Sequence, residues 1–205
     1  MKKFKNFLYY EWKKIAAIVF VILMTIVTVN QCNNKVATDL GILYIGNIKP
    51  GDFSLIKAEL ESANIVSDAD SDGKTVINTK EILIPKSEEL KLEQQVPQQI
   101  QFEVISGENM LYIIDEKSAR TNAMEMSFAD ITDIADKYNI PHENCLKYSD
   151  GKVFAIPLSD NKLLETLGIY NDGMFIAQRN YVLKDKDNPL NANARKGMEY
   201  ILGKN

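Results

Sequence analysis

No residue between positions 15 and 34 carries a charge, and residues 15–29 read IAAIVFVILMTIVTV. A run of this kind has few stable destinations. As a helix rising about 1.5 Å per residue it reaches about 30 Å, the thickness of a bilayer's hydrocarbon core. Lys13 and Lys14 stand where their stems can carry the ammonium groups to one interface, and Tyr9, Tyr10 and Trp12 suit the aromatic belt there. Residues 1–14 hold five lysines against one acid, Glu11, a local +4, so the rest of the chain carries −8 within a total of −4. The positive-inside rule then assigns residues 1–14 to the cytoplasm, residues 15–34 to a transmembrane helix and residues 35–205 to an extracytoplasmic domain. A cleaved signal peptide and a lipoprotein attached through Cys32 are the alternatives. VTVNQCNNK offers no small-residue cleavage site, and VNQC departs from a lipoprotein box before the cysteine. A helix buried in a soluble core would leave the five lysines and the aromatic flank without a role.

The outer region is acidic and has no basic stripe, which excludes a nucleic-acid binder that depends on Lys and Arg contacts to phosphate. Two cysteines, Cys32 and Cys145, provide neither a disulfide framework nor metal-type spacing. His142 is the only histidine, so a His-rich metal site or a Ser-His-Asp triad is hard to build, and its setting in NIPHENC reads as a loop. With 45% hydrophobic and 25% charged residues there is material for one core.

Along that region, DLGILYIG (39–46) is an apolar run ending in glycine and predicts a buried strand. DFSLIKAELESA (52–63) places Phe53, Ile56, Leu60 and Ala63 at helical spacing, with Asp52 or Ser54 able to cap. KTVINTKEILIP (74–85) is β-branched and bounded by Gly73 and Pro85, a strand. Strand, helix, strand predicts a βαβ unit with parallel pairing. Residues 87–106 carry Leu92, Val96, Ile100 and Val104 four apart, a helix that Pro97 should break or kink and Gly107 should end. MLYIID (110–115) is a buried strand whose Asp115 stands where a following helix needs a cap. FADITDIADKYNIP (128–141) is an amphipathic helix stopping before Pro141, and GKVFAIPLSD (151–160) is extended. NKLLETLGI is a short helix, MFIAQRNYVL (174–183) a last strand and NPLNANARKGMEYILG (188–203) a closing helix. The fold class is α/β, with strands near 40–46, 76–84, 110–114 and 174–182 in one sheet.

SDADSDGKTVINTKE (67–81) raises the one question of metal chemistry. With Asp68 at position 1 of a calcium loop, Asp70 and Asp72 fall at positions 3 and 5, Gly73 at 6, and the Lys74 carbonyl at 7. Position 12, which should be a bidentate glutamate, is Thr79, and a strand follows instead of a second helix. An EF-hand pair is excluded; a loop completed by a distant carboxylate, with Glu81 as one candidate, stays open. The other reading is a helix-to-strand turn in which the aspartates accept nearby backbone N–H groups and Gly73 takes a positive φ.

The stretch ENMLYIIDEKSA, FADITDIADKY and DGKVFAIPLSDN resembles the extracellular solute-binding proteins of bacterial ABC importers. Asp115, Asp133 with Ile134, and Gly151, Lys152, Ala155, Ile156 and Pro157 match that family's pattern, and NANARKGMEYIL resembles its closing helix. The N-terminal YYEWKKIAAIV resembles small membrane-anchored proteins of Gram-positive bacteria. This likeness implies one lobe of a periplasmic-binding-protein-like sheet with packed helices. The family's two-lobed cleft needs more chain than lies between Pro157 and the closing helix, so a single lobe is expected and no ligand residue is carried over. Two functions follow: a non-catalytic envelope module that binds a protein partner or assists a permease, or a cell-surface enzyme or small-molecule receptor working through carboxylates. Asp115 and Asp160 are the candidate acids, or helix caps; Arg179 is a candidate anion contact, or a paired or solvated strand residue. No Gly-rich phosphate loop, nucleophile elbow or His/Cys cluster appears, which favours the module.

Overall fold

The computed structural model describes residues 12, 14, 16–25, 38–85, 97–103, 109–123, 128–180 and 188–204. The chain divides into two units, residues 1–37 and 38–205. In the first, residues 16–25 are helical (α1), and the side chains from Ile18 to Met24 are all about half exposed or more. No helix among the described residues is long and apolar enough to cross a membrane. The remainder of the charge-free run, residue 15 and residues 26–34, lies outside the described residues, and the spanning helix expected over 15–34 is not supported.

The second unit is a six-stranded mixed sheet in the order β2-β1-β3-β6-β5-β4. Its strands are β1 (Leu40–Gly46), β2 (Ile77–Leu83), β3 (Leu111–Asp115), β4 (Leu146–Lys147), β5 (Val153–Pro157) and β6 (Met174–Gln178). β1 pairs in parallel with both β2 and β3, as the strand–helix–strand pattern requires. β6 runs antiparallel to β3 and to β5.

Every residue of β1 is buried, because both sheet faces are covered. On one face Leu40, Ile42 and Tyr44 join α2 (Ser54–Ser62), α5 (Thr132–Lys137), α6 (Lys162–Thr166) and α7 (Pro189–Gly203) in a single cluster. Leu43 and Ile45 face the other way. There they meet Tyr112, Ile114 and Phe128, with Ile100 of the helical residues 97–103 (α3) and Ala119 and Ala123 of α4 (Glu116–Ala123). The alternation of Leu43 and Ile45 with Ile42 and Tyr44 is the period-two signature of a strand serving two cores. Burying each such aliphatic side chain contributes about 1.5–3 kcal/mol.

Local chemistry sets the helix ends. Asn188 accepts from the Leu190 N–H, and Pro189 starts α7 where its missing N–H costs nothing. Asn161 does the same for α6 through the Leu164 N–H and also donates to Ile201 O, tying α6 to α7. Asp115 caps α4, its carboxylate accepting the Ser118 N–H and hydroxyl.

Two sequence expectations need correction. The helix expected over 128–141 is only α5: Phe128 bridges Arg179 instead, and Asp130 accepts from the Thr132 N–H to start the helix there. Residues 97–103 are helical from Pro97 on, while residues 87–96 and 104–107, and with them the expected break at Pro97 and stop at Gly107, lie outside the described residues. Neither Asp52 nor Ser54 occupies the cap of α2, which is Phe53; Asp52 instead accepts from the Ser54 N–H and hydroxyl.

Candidate functional site at the start of the edge strand

After α2 the chain turns through Asn64, whose φ of +50° makes it the left-handed residue that ends the helix. It then loops through residues 65–76 to reach β2 at the edge of the sheet. This loop carries Asp68, Asp70 and Asp72. Its floor is Asp39, which immediately precedes β1 and is only 2% exposed. Parallel pairing of β1 with β2 brings the two together: the Asp39 and Leu40 N–H groups both reach Val76 O. The Asp39 carboxylate accepts the Ala69 N–H at 2.6 Å through Oδ1 and the Val76 N–H at 2.7 Å through Oδ2. A buried charge is held here by two charge-assisted bonds and lies across both ends of the loop.

Above it, Asp68 accepts from Ser71 and Gly73, each at 2.7 Å, and from Asp72 at 3.3 Å. Asp70 accepts the Asp72 N–H, and Asp72 accepts the Lys74 N–H. Gly73 has φ +84° and Ser71 φ +62°, so the loop has the left-handed turns foreseen for an aspartate turn. The Gly73 N–H holds the Asp68 carboxyl below the usual range. Asp70 is pushed the other way: the Asp72 N–H pulls its value down, but desolvation, its bond with Asp68 and the charges of Asp72 and Asp68 outweigh that pull.

Oxygen atoms of Asp39, Asp68 and Asp70 lie within 4.8 Å of one another and can hold a metal ion. This trio differs from the ligand set read from spacing, which was Asp68, Asp70, Asp72 and the Lys74 carbonyl. Asp39 enters and Asp72 is not part of the group. Nothing in the spacing of residues 67–81 could announce Asp39, because the sheet brings it there from a distant position. The loop is pinned from behind by α7: Asn193, 1% exposed, accepts the Ser67 N–H and donates to Ser67 O and Asp39 O, and Lys196 donates to the Ser67 hydroxyl. Beside the loop is a cavity of about 170 Å³ lined by Leu60, Glu61, Asn64, Val66, Thr75 and Ile77.

The other candidates lie elsewhere in the unit. At the carboxyl ends of β1 and β3, where open α/β sheets usually bind ligands, Tyr44 packs edge-on against Phe53 with centroids 5.6 Å apart. Its hydroxyl donates to Ile48 O at 2.9 Å. Burial pushes this phenol far up, and Tyr170, Asp115 and Glu81 add to the effect. Residues 47–53 strap over it, held by the Tyr170 N–H on Pro50 O and by Gly51, where any Cβ would lie 2.4 Å from Gly168 O. Asp160 has φ +64° in the turn before α6. Arg179 donates its N–H to Met110 O, and its charge acts on Tyr112, whose phenol burial raises to about 12 against that charge. Close by, the buried Glu103 accepts from Lys80 at 2.7 Å and Asn109 at 2.9 Å. His142 lies on a 3-10 turn against Asp136, and Cys145 is a buried thiol pushed up by desolvation. Comparison with protein-family models, with curated proteins and with solved structures finds no match to this chain.

Proposed function

We propose that this chain is a membrane-anchored module of the cell envelope, whose residues 35–205 form an extracytoplasmic, non-catalytic lobe that binds a protein partner or assists a permease. The observation that carries the reading is the contrast between the two units. α1 presents apolar side chains on all its sides beside a lysine-rich flank, as a bilayer segment does. The sheet unit, in turn, has its ligand-prone carboxyl edge filled by Tyr44 and strapped by residues 47–53. Its mixed sheet, with helices on both faces, is compatible with one lobe of a solute-binding-protein-like fold. The alternative is a surface enzyme or small-molecule receptor using carboxylates; such sites usually span about 300–1,000 Å³, and the cavity beside the acidic loop, at about 170 Å³, is smaller than that. Protease added to intact protoplasts should remove residues 35–205 and leave a membrane-bound stub. Survival of the full-length chain would reverse the topology.

Calcium is the cation proposed for the Asp39–Asp68–Asp70 group, supported by hard oxygen donors and an extracytoplasmic setting where weak modules work at about 10⁻⁴–10⁻³ M. The loop's own backbone bonds account for its shape without an ion, so the measurement must separate the two. Calcium at a few millimolar should raise the melting temperature of the wild type and leave Asp68→Asn with Asp70→Asn unmoved. Equal melting temperatures with and without calcium in both chains would leave the turn as the whole explanation.

A further inference from the structure

The cavity beside the acidic loop and the outer edge of β2 belong to one surface. β2 is the edge strand, bonded only to β1 among the described residues. The phase of its ladder can be read from its ends. Val76 O accepts from β1's start, and the Ile84 N–H donates to Gly46 O, so the even-numbered residues turn their backbone groups inward. In a parallel ladder alternate residues bond to opposite sides. Ile77, Thr79, Glu81 and Leu83 therefore turn their N–H and C=O groups outward, toward the open edge. Their side chains share the sheet face of Ile77, which lines the cavity. Glu81 is exposed on that face, and Leu83 is 45% exposed at its far end.

We propose that β2 accepts an extended peptide segment of a partner protein as an added strand, with one aliphatic side chain of that segment seated in the cavity and a basic residue four positions away facing Glu81. The proposal rests on the reading of the outer unit as a partner-binding module and names the surface and the chemistry. Strand addition takes affinity from main-chain bonds and specificity from pockets for alternate side chains. About 170 Å³ is too small for most small-molecule ligands and suits one buried side chain. Leu60, Val66 and Ile77 supply the apolar half of its lining, and Glu61, Asn64 and Thr75 the polar half.

Charge selects the neighbour. Glu61, which lines the cavity, is paired with Lys57 at 3.7 Å, but Val66 and Thr75, which also line it, bracket a loop carrying Asp68, Asp70 and Asp72 against Lys74 alone. Lys80 does not balance Glu81, since it stands on the opposite face and pairs with Glu103 at 2.7 Å. A cationic residue opposite Glu81 would form a cross-strand pair. A second copy of this chain is the wrong partner: antiparallel pairing of β2 with itself about Lys80 or Glu81 would set like charges face to face, a device that keeps edges from self-association.

Two labelled peptides probe the edge in both strand directions, Thr-Ile-Thr-Thr-Thr-Lys-Thr and Thr-Lys-Thr-Thr-Thr-Ile-Thr, with the full-length chain in detergent and fluorescence anisotropy as readout. One of them should bind the wild type. Binding should weaken at least tenfold when alternate peptide nitrogens are methylated, in Thr75→Trp, which fills the cavity mouth, and in Thr79→Pro. Proline at 79 removes an outward N–H and no native ladder bond, so the strand should persist. Circular dichroism checks that it does; if it does not, Thr75→Trp and the methylated peptides carry the test. Glu81→Lys should also lose the lysine peptide and recover binding to the same peptide with glutamate in its place. Undiminished binding of the methylated peptide, or no charge-swap recovery, would overturn the added-strand arrangement. If neither peptide binds the wild type, the edge proposal falls, and benzophenone crosslinking in intact cells decides the broader reading. Protein adducts formed only from positions away from β2 would keep the module and discard the edge, whereas none from any position would end both.

Discussion

Asp39 is the residue whose replacement tests the acidic corner most directly. The residue is 2% exposed, and its carboxylate accepts two backbone N–H groups, from Ala69 and Val76, at 2.6 and 2.7 Å. Hydrogen bonds to a charged group contribute about 1.5–3 kcal/mol each. Ala69 and Val76 are half-buried, so water can replace part of what is lost, and the lower end applies. Asp39→Ala should therefore cost about 3 kcal/mol. Asp39→Asn keeps one acceptor and turns an amide N–H₂ toward the other donor, which should cost about 2 kcal/mol. For a unit of this size, 1 kcal/mol corresponds to about 2–4 °C, so the alanine variant should melt roughly 6–12 °C lower. Urea unfolding followed by far-ultraviolet circular dichroism, in EDTA, measures the loss without any ion. The backbone N–H of Asp39, which bonds Val76 O, is retained in both variants and supplies a shared baseline. A loss below about 1 kcal/mol for Asp39→Ala in EDTA would refute the claim that this carboxylate holds the loop. A loss that appears only in calcium would transfer its role from turn to ligand.

Further outcomes follow from neighbouring residues. Gly51→Ala places a Cβ 2.4 Å from Gly168 O at φ +94°; it should cost roughly 2–4 kcal/mol in the same unfolding assay, and a loss under 1 kcal/mol would mean that the strap gives way freely. In a Cys32→Ser background, Cys145 should react with a thiol reagent many times more slowly in the folded chain than in urea, since it is buried with its thiol pushed up; equal rates would place it at the surface. Carboxyl NMR should find Asp68 titrating below the usual carboxylate range and Asp70 above it. The signs differ accordingly. Asp68 contributes stability above its unfolded value that is lost as pH falls through the folded one, whereas Asp70 favours folding at low pH and loses that contribution as pH rises through its folded value. Coincident titrations would remove the asymmetry of the loop.

How much of this was legible in the sequence depends on whether a signal is local. LGILYIG and LYIID are continuous apolar runs because β1 and β3 are covered on both faces, and such runs can be read directly. The parallel pairing of β1 with β2 follows from the intervening helix, since parallel neighbours need a crossover. The antiparallel insertion of β6 between β3 and β5 has no local mark: MFIAQ reads the same in either direction. β4 is two residues long, below any periodic window. The overlong helix at 128–141 has a clear cause, because Phe128 continues an amphipathic pattern that tertiary structure diverts into a bridge to Arg179. At the candidate site, the aspartate turn and its glycine were visible from spacing, whereas Asp39 and Asn193 were not.

The same topological demand explains why chemistry gathers at this corner. A parallel connection must carry the chain from the end of α2 to the start of β2, at the outermost position of the sheet, where no further strand among the described residues supplies backbone partners. Loop N–H groups that a sheet would have satisfied must find other acceptors. Asp39, Asp68, Asp70 and Asp72 provide them, accepting from Ala69, Ser71, Asp72, Gly73, Lys74 and Val76. Carboxylates satisfy donors strongly but concentrate negative charge, and Asn193 and Lys196 of α7 brace the loop from behind. The detour also stops short of closing over α2, which leaves the cavity between Leu60 and Ile77. Edge, cavity and acidity thus share one cause, the return of the chain to the edge strand. A partner strand would cover the edge and fill the cavity, and its basic residue would offset the charge.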